Sequence, residues 1–520
     1  MAAALLPLGC AVAATLTAGA GTAPGRAVFT RPNIIVVMTD DQTTAELRGM
    51  RATRRLIARQ GVSFSRFYVS YPVCCPSRAT YLTGQYAHNH GVMGLYPPTG
   101  GYGRFDKRNA LPVWLQRAGY HTAHFGKFLN GYGDRIGADV PLGWSDWHAT
   151  VDYSTYRMWG YTINDNGRVR TYGRPFELDP GLYQTDLLAA KAHTVIERHA
   201  GRRPLFISLN FLAPHHEDRR VQARSGQLVR PAPRHLVAST SRRLPRTPDF
   251  NERDMSDKPR FLRRRTAPLD ARDIARLEQD ARNRRASLLA VDEAVARIVR
   301  ALRRSGQLDN TYILFTSDNG YMQGQHRVRS GKMLPYDPAT RVPLLMRGPE
   351  LPRGVRSGEL TANIDLAPTV LDIAGAEARE PIDGRSLLPF ARRPKRSTDR
   401  PILHETGGRR SVGLHQQDES PNAGRSLRRV LTYHAVRTRR WLYVRYRDGS
   451  RELYDMRHDP YQLRSLHAHP RYRATRRALS RELRRLVRCR GAYCRAPVRN
   501  TERSHCHSLD GREGDACQRP

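Results

Sequence analysis

Lysine is nearly missing from this chain. Only Lys107, Lys127, Lys191, Lys258, Lys332 and Lys395 carry it, so almost all of the 87 basic residues are arginine. Acidic residues are also scarce, 48 in 520, and the formal net charge is +39. Such an excess suits anionic polysaccharide, anionic lipid or nucleic acid as partner, and a coding bias toward arginine accounts for it equally well. Long hydrophobic runs are lacking too. Beyond the N-terminus no stretch approaches the roughly 18 to 20 apolar residues of a membrane helix, which excludes an integral membrane span. Seven cysteines are too few for a disulfide scaffold of this length. The chain is instead long enough for one large and one small domain with self-sufficient cores.

The first 25 residues contain no charged side chain, and Ala2 to Ala23 is rich in Ala, Leu and Val. Residues 1–26 therefore read as a secretory signal with cleavage after Ala18-Gly19-Ala20, although the basic segment that usually opens such a signal is missing. Leu8-Gly9-Cys10 offers a weaker lipoprotein-like alternative, with Pro7 where leucine is usual. An exported chain can form disulfides. Cys489, Cys494, Cys506 and Cys517 then suggest two bridges with three connectivities, a zinc site using His505 or His507 being the alternative.

Three apolar runs end in chemistry. Ile34 to Met38 leads into Asp40 and Asp41, Leu205 to Leu212 into Pro214, His215 and His216, and Tyr312 to Phe315 into Asp318 and Asn319. Short apolar runs of this kind read as buried parallel strands of an α/β sheet, whose ligands lie beyond the carboxyl ends. Paired carboxylates there suit a hard divalent cation such as Ca²⁺ or Mg²⁺, and a helix-capping aspartate is the plainer use. Few histidines accompany them, which argues against a two-zinc site. Between the first two runs lies Val73-Cys74-Cys75-Pro76-Ser77-Arg78-Ala79-Thr80-Tyr81-Leu82-Thr83-Gly84. Pro76 suits the first position of a helix and Gly84 its end, which places Cys74 just before a helix N-terminus. Unpaired N–H groups there favour an anion, and Arg78 adds a forked cation one turn in. The alternative is a buried cysteine pair beside a capped helix.

Cys74-x-Pro76-Ser77-Arg78, followed by Leu82-Thr83-Gly84, resembles the sulfatase family, and the resemblance extends over about Arg31 to Leu463. It implies an alkaline-phosphatase-like α/β fold: a mixed, largely parallel sheet flanked by helices, with a small C-terminal antiparallel α+β subdomain. The expected organisation is a catalytic domain over 31–393, a subdomain over 401–488 and a cysteine-bearing tail over 489–520. The resemblance implies conversion of Cys74 to formylglycine by a formylglycine-generating enzyme. It also implies one divalent cation, calcium with magnesium as alternative, held by Asp40, Asp41, Asp318, Asn319 and residue 74. Arg78, Lys127 and Lys332 carry over as sulfate-binding cations, and His215, directly after proline, as acid to the leaving alcohol. Two of the six lysines thus fall at these positions, where a compact point charge is required.

Many arylsulfatases have a histidine where this chain has Leu129, which leaves the base for sulfate release unassigned. That departure matches the branch of N-acetylglucosamine-6-sulfatases and heparan endosulfatases, which this chain also resembles at Val73 to Arg78, Val140 to Trp144 and Tyr312 to Gly320. A 6-O-sulfated amino sugar or glycosaminoglycan fragment is the implied substrate, with aryl sulfates as surrogates and no specific nucleic-acid partner. Alternatives are an arylsulfatase, a phosphonate or phosphate monoester hydrolase of the same superfamily, and a polyanion-binding protein without catalysis.

Elsewhere, Asn164-Asp165-Asn166-Gly167 predicts a hairpin turn, and apolar spacing predicts a helix over Ser287 to Arg304. Residues 219–265, rich in Arg, Pro and Ser, read as a mobile insertion, with a lid over an anionic polymer as the other use. His88 and His90 are read as loop residues rather than partners of the site. Asp337 stands where the family has glutamate, and His326 carries no assigned role. Strands are expected at Trp441 to Tyr446 and around Glu452 to Asp455, and a basic helix over Arg471 to Arg488.

Overall fold

The computed structural model describes residues 31–133, 139–237, 244–407 and 432–498. The N-terminal signal region, Cys506 and Cys517 lie outside them. Among the described residues ten strands form one sheet: β1 (Asn33–Thr39), β2 (Val62–Tyr68), β3 (His121–Gly126), β4 (Asp146–Thr150), β5 (Tyr161–Asp165), β6 (Arg168–Tyr172), β7 (Leu205–Asn210), β8 (Thr311–Ser317), β9 (Leu344–Arg347) and β10 (Val355–Ala362). Their order is β10-β2-β9-β8-β1-β7-β3-β4-β5-β6. Every residue of β1, β7 and β8 is buried. Strands covered on both faces carry continuous apolar runs rather than alternation, which is why these three were readable. β1 runs parallel to both β7 and β8, and β7 runs parallel to β3. β9 is antiparallel to β2 and β8, and the β4–β5–β6 edge is antiparallel, so the sheet is mixed. The β5–β6 hairpin turns at Asn166 and Gly167 with φ of 52° and 91°, a conformation that glycine and asparagine tolerate at little cost.

The long helix Ala271–Arg304 begins well before the predicted Ser287. Its first half is rich in charge and carries only a sparse apolar stripe, Ile274, Leu277 and Ala281, which packs on Leu244 and Leu269. Asp270 and Asp273 nevertheless start it with a reciprocal capping box, and Leu288, Val291, Val295, Ile298 and Leu302 bury the second half. The segment 219–265 differs from its prediction as well. Asp218 caps a helix over Arg219–Ser225, a second helix spans Arg260–Arg265, and Val221, Val229, Phe261 and Leu262 are buried. Buried Lys258 joins Glu252 and Asp257, so the described part of the segment is anchored rather than loose.

Four further strands, β11 (Ile402–Glu405), β12 (Tyr433–Arg437), β13 (Trp441–Tyr446) and β14 (Arg451–Asp455), form a separate antiparallel sheet in sequence order. The amphipathic helix Arg473–Leu486 covers it through Leu479, Leu483 and Leu486. Tyr68, Leu360 and Ile364 of the first sheet's edge share that small core. A disulfide joins Cys489 to Cys494. No helix among the described residues is long and apolar enough to cross a membrane.

Candidate active site

Strand register assembles the site. Thr39 of β1 pairs with Ser317 of β8, Met38 with Asn210 of β7, and Gly126 of β3 with Asn210. Four adjacent parallel strands therefore stop at one edge, where the next residues are Asp40 and Asp41, Asp318 and Asn319, and Lys127. The loop after β7 adds His215. Asp41 turns the chain in the left-handed region, φ 67°, and its N–H donates to Asp318 Oδ1 at 3.2 Å.

Cys74 arrives from the other side on the helix Cys74–Thr83, whose residues are all buried. The helix starts at Cys74 itself, two residues before the predicted Pro76. Val73 is extended, and Gly84 closes the helix in the left-handed conformation. Cys74 Sγ lies 3.3 Å from Asp40 Oδ1 and 2.9 Å from Lys332 Nζ. Burial first, and then the Asp40 charge, push its thiol well above the ordinary cysteine value, so the protein's own groups favour a protonated thiol.

Ligand atoms of Asp40, Asp41, Cys74 and His215 all lie within 4.8 Å of one another. Lys127 Nζ is 2.5 Å from Asp40 Oδ2 and 4.5 Å from the centre of the Tyr156 ring. Lys332 Nζ is 2.6 Å from Asp41 Oδ1. Arg78 donates from Nε to Asp318 Oδ2 at 2.8 Å and from Nη1 to the Lys127 carbonyl at 2.6 Å, and its Nη2 lies 3.5 Å from Asp40. His215 Nδ1 donates to the His216 carbonyl at 2.6 Å, which turns Nε2 toward Asp41 Oδ2, 3.6 Å away. His216 faces Asp280 instead, at 3.1 Å. All the residues proposed from sequence thus meet at one sheet edge.

Opposing effects set the charges. Burial raises the Asp40 carboxyl, but Lys127, His215, Arg78 and Lys332 together hold it far below the usual carboxylate range. Asp41 is likewise lowered against burial, chiefly by Lys332 and His215. Burial and Asp40 instead raise Asp318 to about 6, against the pull of Arg78. Asn319 donates from Nδ2 to Asp41 Oδ1 at 2.5 Å, while its Oδ1 is buried without a hydrogen bond. A buried amide oxygen beside three carboxylates is costly unless a cation or a donor takes it, and this donor set fits one hard divalent ion.

Arg284 escaped sequence reading. Fully buried on the long helix, it donates from Nη2 to the Asp41 carbonyl at 2.6 Å, from Nη1 to the Pro214 carbonyl at 3.2 Å, and from Nε to Glu46 at 2.8 Å. One guanidinium therefore ties the Asp41 turn to the residue before His215. Leu129 is buried within the aromatic core around Phe128 and Tyr132. His90 bonds Thr80, His88 bonds Glu405, and His326 bonds Glu252 at 2.6 Å.

A fold with its anion-ready edge lined by these residues defines a class. Residues 32–376 match the sulfatase family model, and the chain belongs to the sulfatase family, enzymes that hydrolyse sulfuric esters. Within it, the chain is 33% identical over 495 residues to the N-acetylglucosamine-6-sulfatase of Capra hircus, covering 90% of this chain and 85% of that protein. It is 36% identical over 368 residues to a Sulf-1 extracellular sulfatase homolog of Caenorhabditis elegans, covering 69% of this chain but only 49%, about half, of that relative. A solved structure titled as a complex with its substrate D-glucosamine-2-N,6-O-disulfate shares the fold, with TM-score 0.69 and 24% identity over 87% of this chain and 97% of that one.

Proposed function

We propose that the protein removes 6-O-sulfate from N-acetylglucosamine or from glycosaminoglycan fragments that contain it, with Cys74 matured to formylglycine by a formylglycine-generating enzyme. The convergence of Asp40, Asp41, Cys74 and His215 within 4.8 Å, with Lys127 against Asp40 and Lys332 against Asp41 and Cys74, carries this reading. The relative named N-acetylglucosamine-6-sulfatase supports the amino-sugar substrate. Export accords with the Cys489–Cys494 disulfide and with the name of the extracellular relative.

Asp40, Asp41, Asp318 and Asn319, with the side chain at position 74, would hold one Ca²⁺. Bound there, the cation supplies positive charge that favours ionisation of an adjacent hydroxyl. Lys127 and Lys332 place two buried ammonium groups where sulfate oxygens would gather charge. Arg78 braces Asp40, Asp318 and the Lys127 backbone, which fixes the edge against that charge. His215 holds Nδ1–H on a carbonyl, so its Nε2, beside the Asp41 carboxylate, can give a proton to the sugar oxygen only from the imidazolium. The protonated thiol of an unmodified Cys74 would be a poor nucleophile, whereas a hydrated aldehyde carries two hydroxyls.

Leaving-group dependence tests the assignment. His215→Ala is expected to lower turnover of N-acetylglucosamine-6-sulfate by about 10²-fold or more, and to spare a nitrophenyl sulfate whose phenolate leaves unaided. Equal losses on both esters would remove His215 from the acid role. Faster hydrolysis of matched phosphate or phosphonate esters than of either sulfate would overturn the substrate class.

A further inference from the structure

At the opposite end of the same sheet lies a second group of metal-type ligands that the sulfatase chemistry does not use. His121 opens β3 and Asp146 opens β4, its parallel neighbour, while His199 ends the helix Gln184–His199. Lys127 follows the far end of β3. Six residues of strand therefore separate His121 from the active-site edge, about 20 Å at the usual rise.

His121 Nε2 lies 2.7 Å from Asp146 Oδ2, and His199 Nε2 approaches the same oxygen at 3.8 Å. The second distance is too long for a hydrogen bond. The two imidazoles are stacked, with centroids 3.9 Å apart and planes within 20°, so both Nε2 atoms face one carboxylate. One ligand atom from each of the three residues falls within 4.8 Å of the others. A third imidazole stands beside them. His148 Nδ1 donates to Asp165 Oδ1 at 2.7 Å, and this fixes the tautomer so that the Nε2 lone pair faces Asp146 Oδ1, 3.9 Å away. Lys191 holds the other side of Asp165 at 2.9 Å. The side chains of His121, Asp146 and His199 keep 11%, 10% and 23% of their surface exposed, enough for an ion to enter.

We propose that His121, Asp146 and His199 form a second metal site that takes a divalent transition ion of the Zn²⁺ type, with His148 as a further ligand. Two neutral imidazoles and one carboxylate are the N,N,O donor set that zinc prefers, whereas calcium prefers oxygen alone. The ion ties the starts of β3 and β4 to the end of a helix and so serves as a structural clamp. This site is independent of the sulfatase reading and survives its failure.

The test is zinc titration of the full-length protein held in saturating Ca²⁺, with bound zinc counted by elemental analysis after gel filtration. Wild type and Cys74→Ala are expected to retain one zinc per chain and to melt at higher temperature with zinc than without. His199→Ala, at a partly exposed helix end, is expected to bind at least about tenfold more weakly, with its sulfatase kinetics unchanged. His121→Gln should behave likewise. Retention of zinc by both histidine variants at wild-type affinity, loss of zinc in Cys74→Ala, or no zinc binding in wild type would each overturn the proposal.

Discussion

His88 lies just beyond the Cys74 helix and reaches the small antiparallel sheet. Its Nδ1 sits 3.0 Å from Glu405 Oε2 in β11, and its Nε2 sits 3.0 Å from the Cys489 carbonyl. Both partners only accept, so both ring nitrogens must carry protons and the ring is an imidazolium. Burial pushes its proton affinity down, but the hydrogen bond and charge of Glu405 prevail and hold its pKa up to about 9. Against an ordinary value of about 6.5, and at ~1.4 kcal/mol per tenfold change in proton affinity, the pair contributes about 3 kcal/mol to stability. That contribution is fully present below about pH 6.5 and is lost as pH rises through about 9, because the unfolded chain gives up the proton first. Burial pushes nearby His434 and His90 down instead, so both are neutral across this window and do not add to the slope. The assay is urea unfolding of wild type and His88→Gln from about pH 6.5 to 9.5. The stability difference between them should shrink by about 3 kcal/mol over that range. Parallel pH profiles would refute an imidazolium at this junction.

Other perturbations follow from the site. Arg284→Met leaves Glu46 buried without its cation and should cost about 3–5 kcal/mol in unfolding free energy; Arg284→Lys should lower the melting temperature less while lowering kcat, because the fork to the Asp41 and Pro214 carbonyls is lost. Lys127→Arg keeps the charge but is too large for the slot between Asp40 and Tyr156, and should lower kcat/KM by about 10²-fold. Stripping divalent ions with a chelator should abolish turnover, and Ca²⁺ should restore it more fully than Mg²⁺, since Mg²⁺ dehydrates reluctantly.

How far the sequence was legible depended on whether a residue's environment is local. Asp40, Asp41, Asp318 and Asn319 could be read because each pair follows an apolar run, and parallel register then forces the run ends together. Lys127 and Lys332 stood out against an arginine-rich background. Arg284 did not, for the same reason: one more arginine on a charged helix carries no signal until its carbonyl partners, 70 and 243 positions away, are in place. His88 reads as a loop histidine because Glu405 is 317 residues distant. The early start of the Ala271–Arg304 helix was hidden because the apolar stripe of its first turns, Ile274, Leu277 and Ala281, lies among many charges and is too sparse to stand out. The anchoring of the described part of residues 219–265 was hidden likewise, since a few buried residues and one lysine hold an otherwise polar segment.

We propose that the group at position 74 is an oxygen nucleophile at a sulfatase site. The most direct measurement is the mass of the peptide that spans Val73 to Gly84, from protein expressed with an active formylglycine-generating enzyme, set beside sulfate release by the same sample. An aldehyde is expected in place of the Cys74 thiol, in a fraction that scales with specific activity, together with no turnover in Cys74→Ala. Full activity from protein whose Cys74 is entirely unmodified would contradict it.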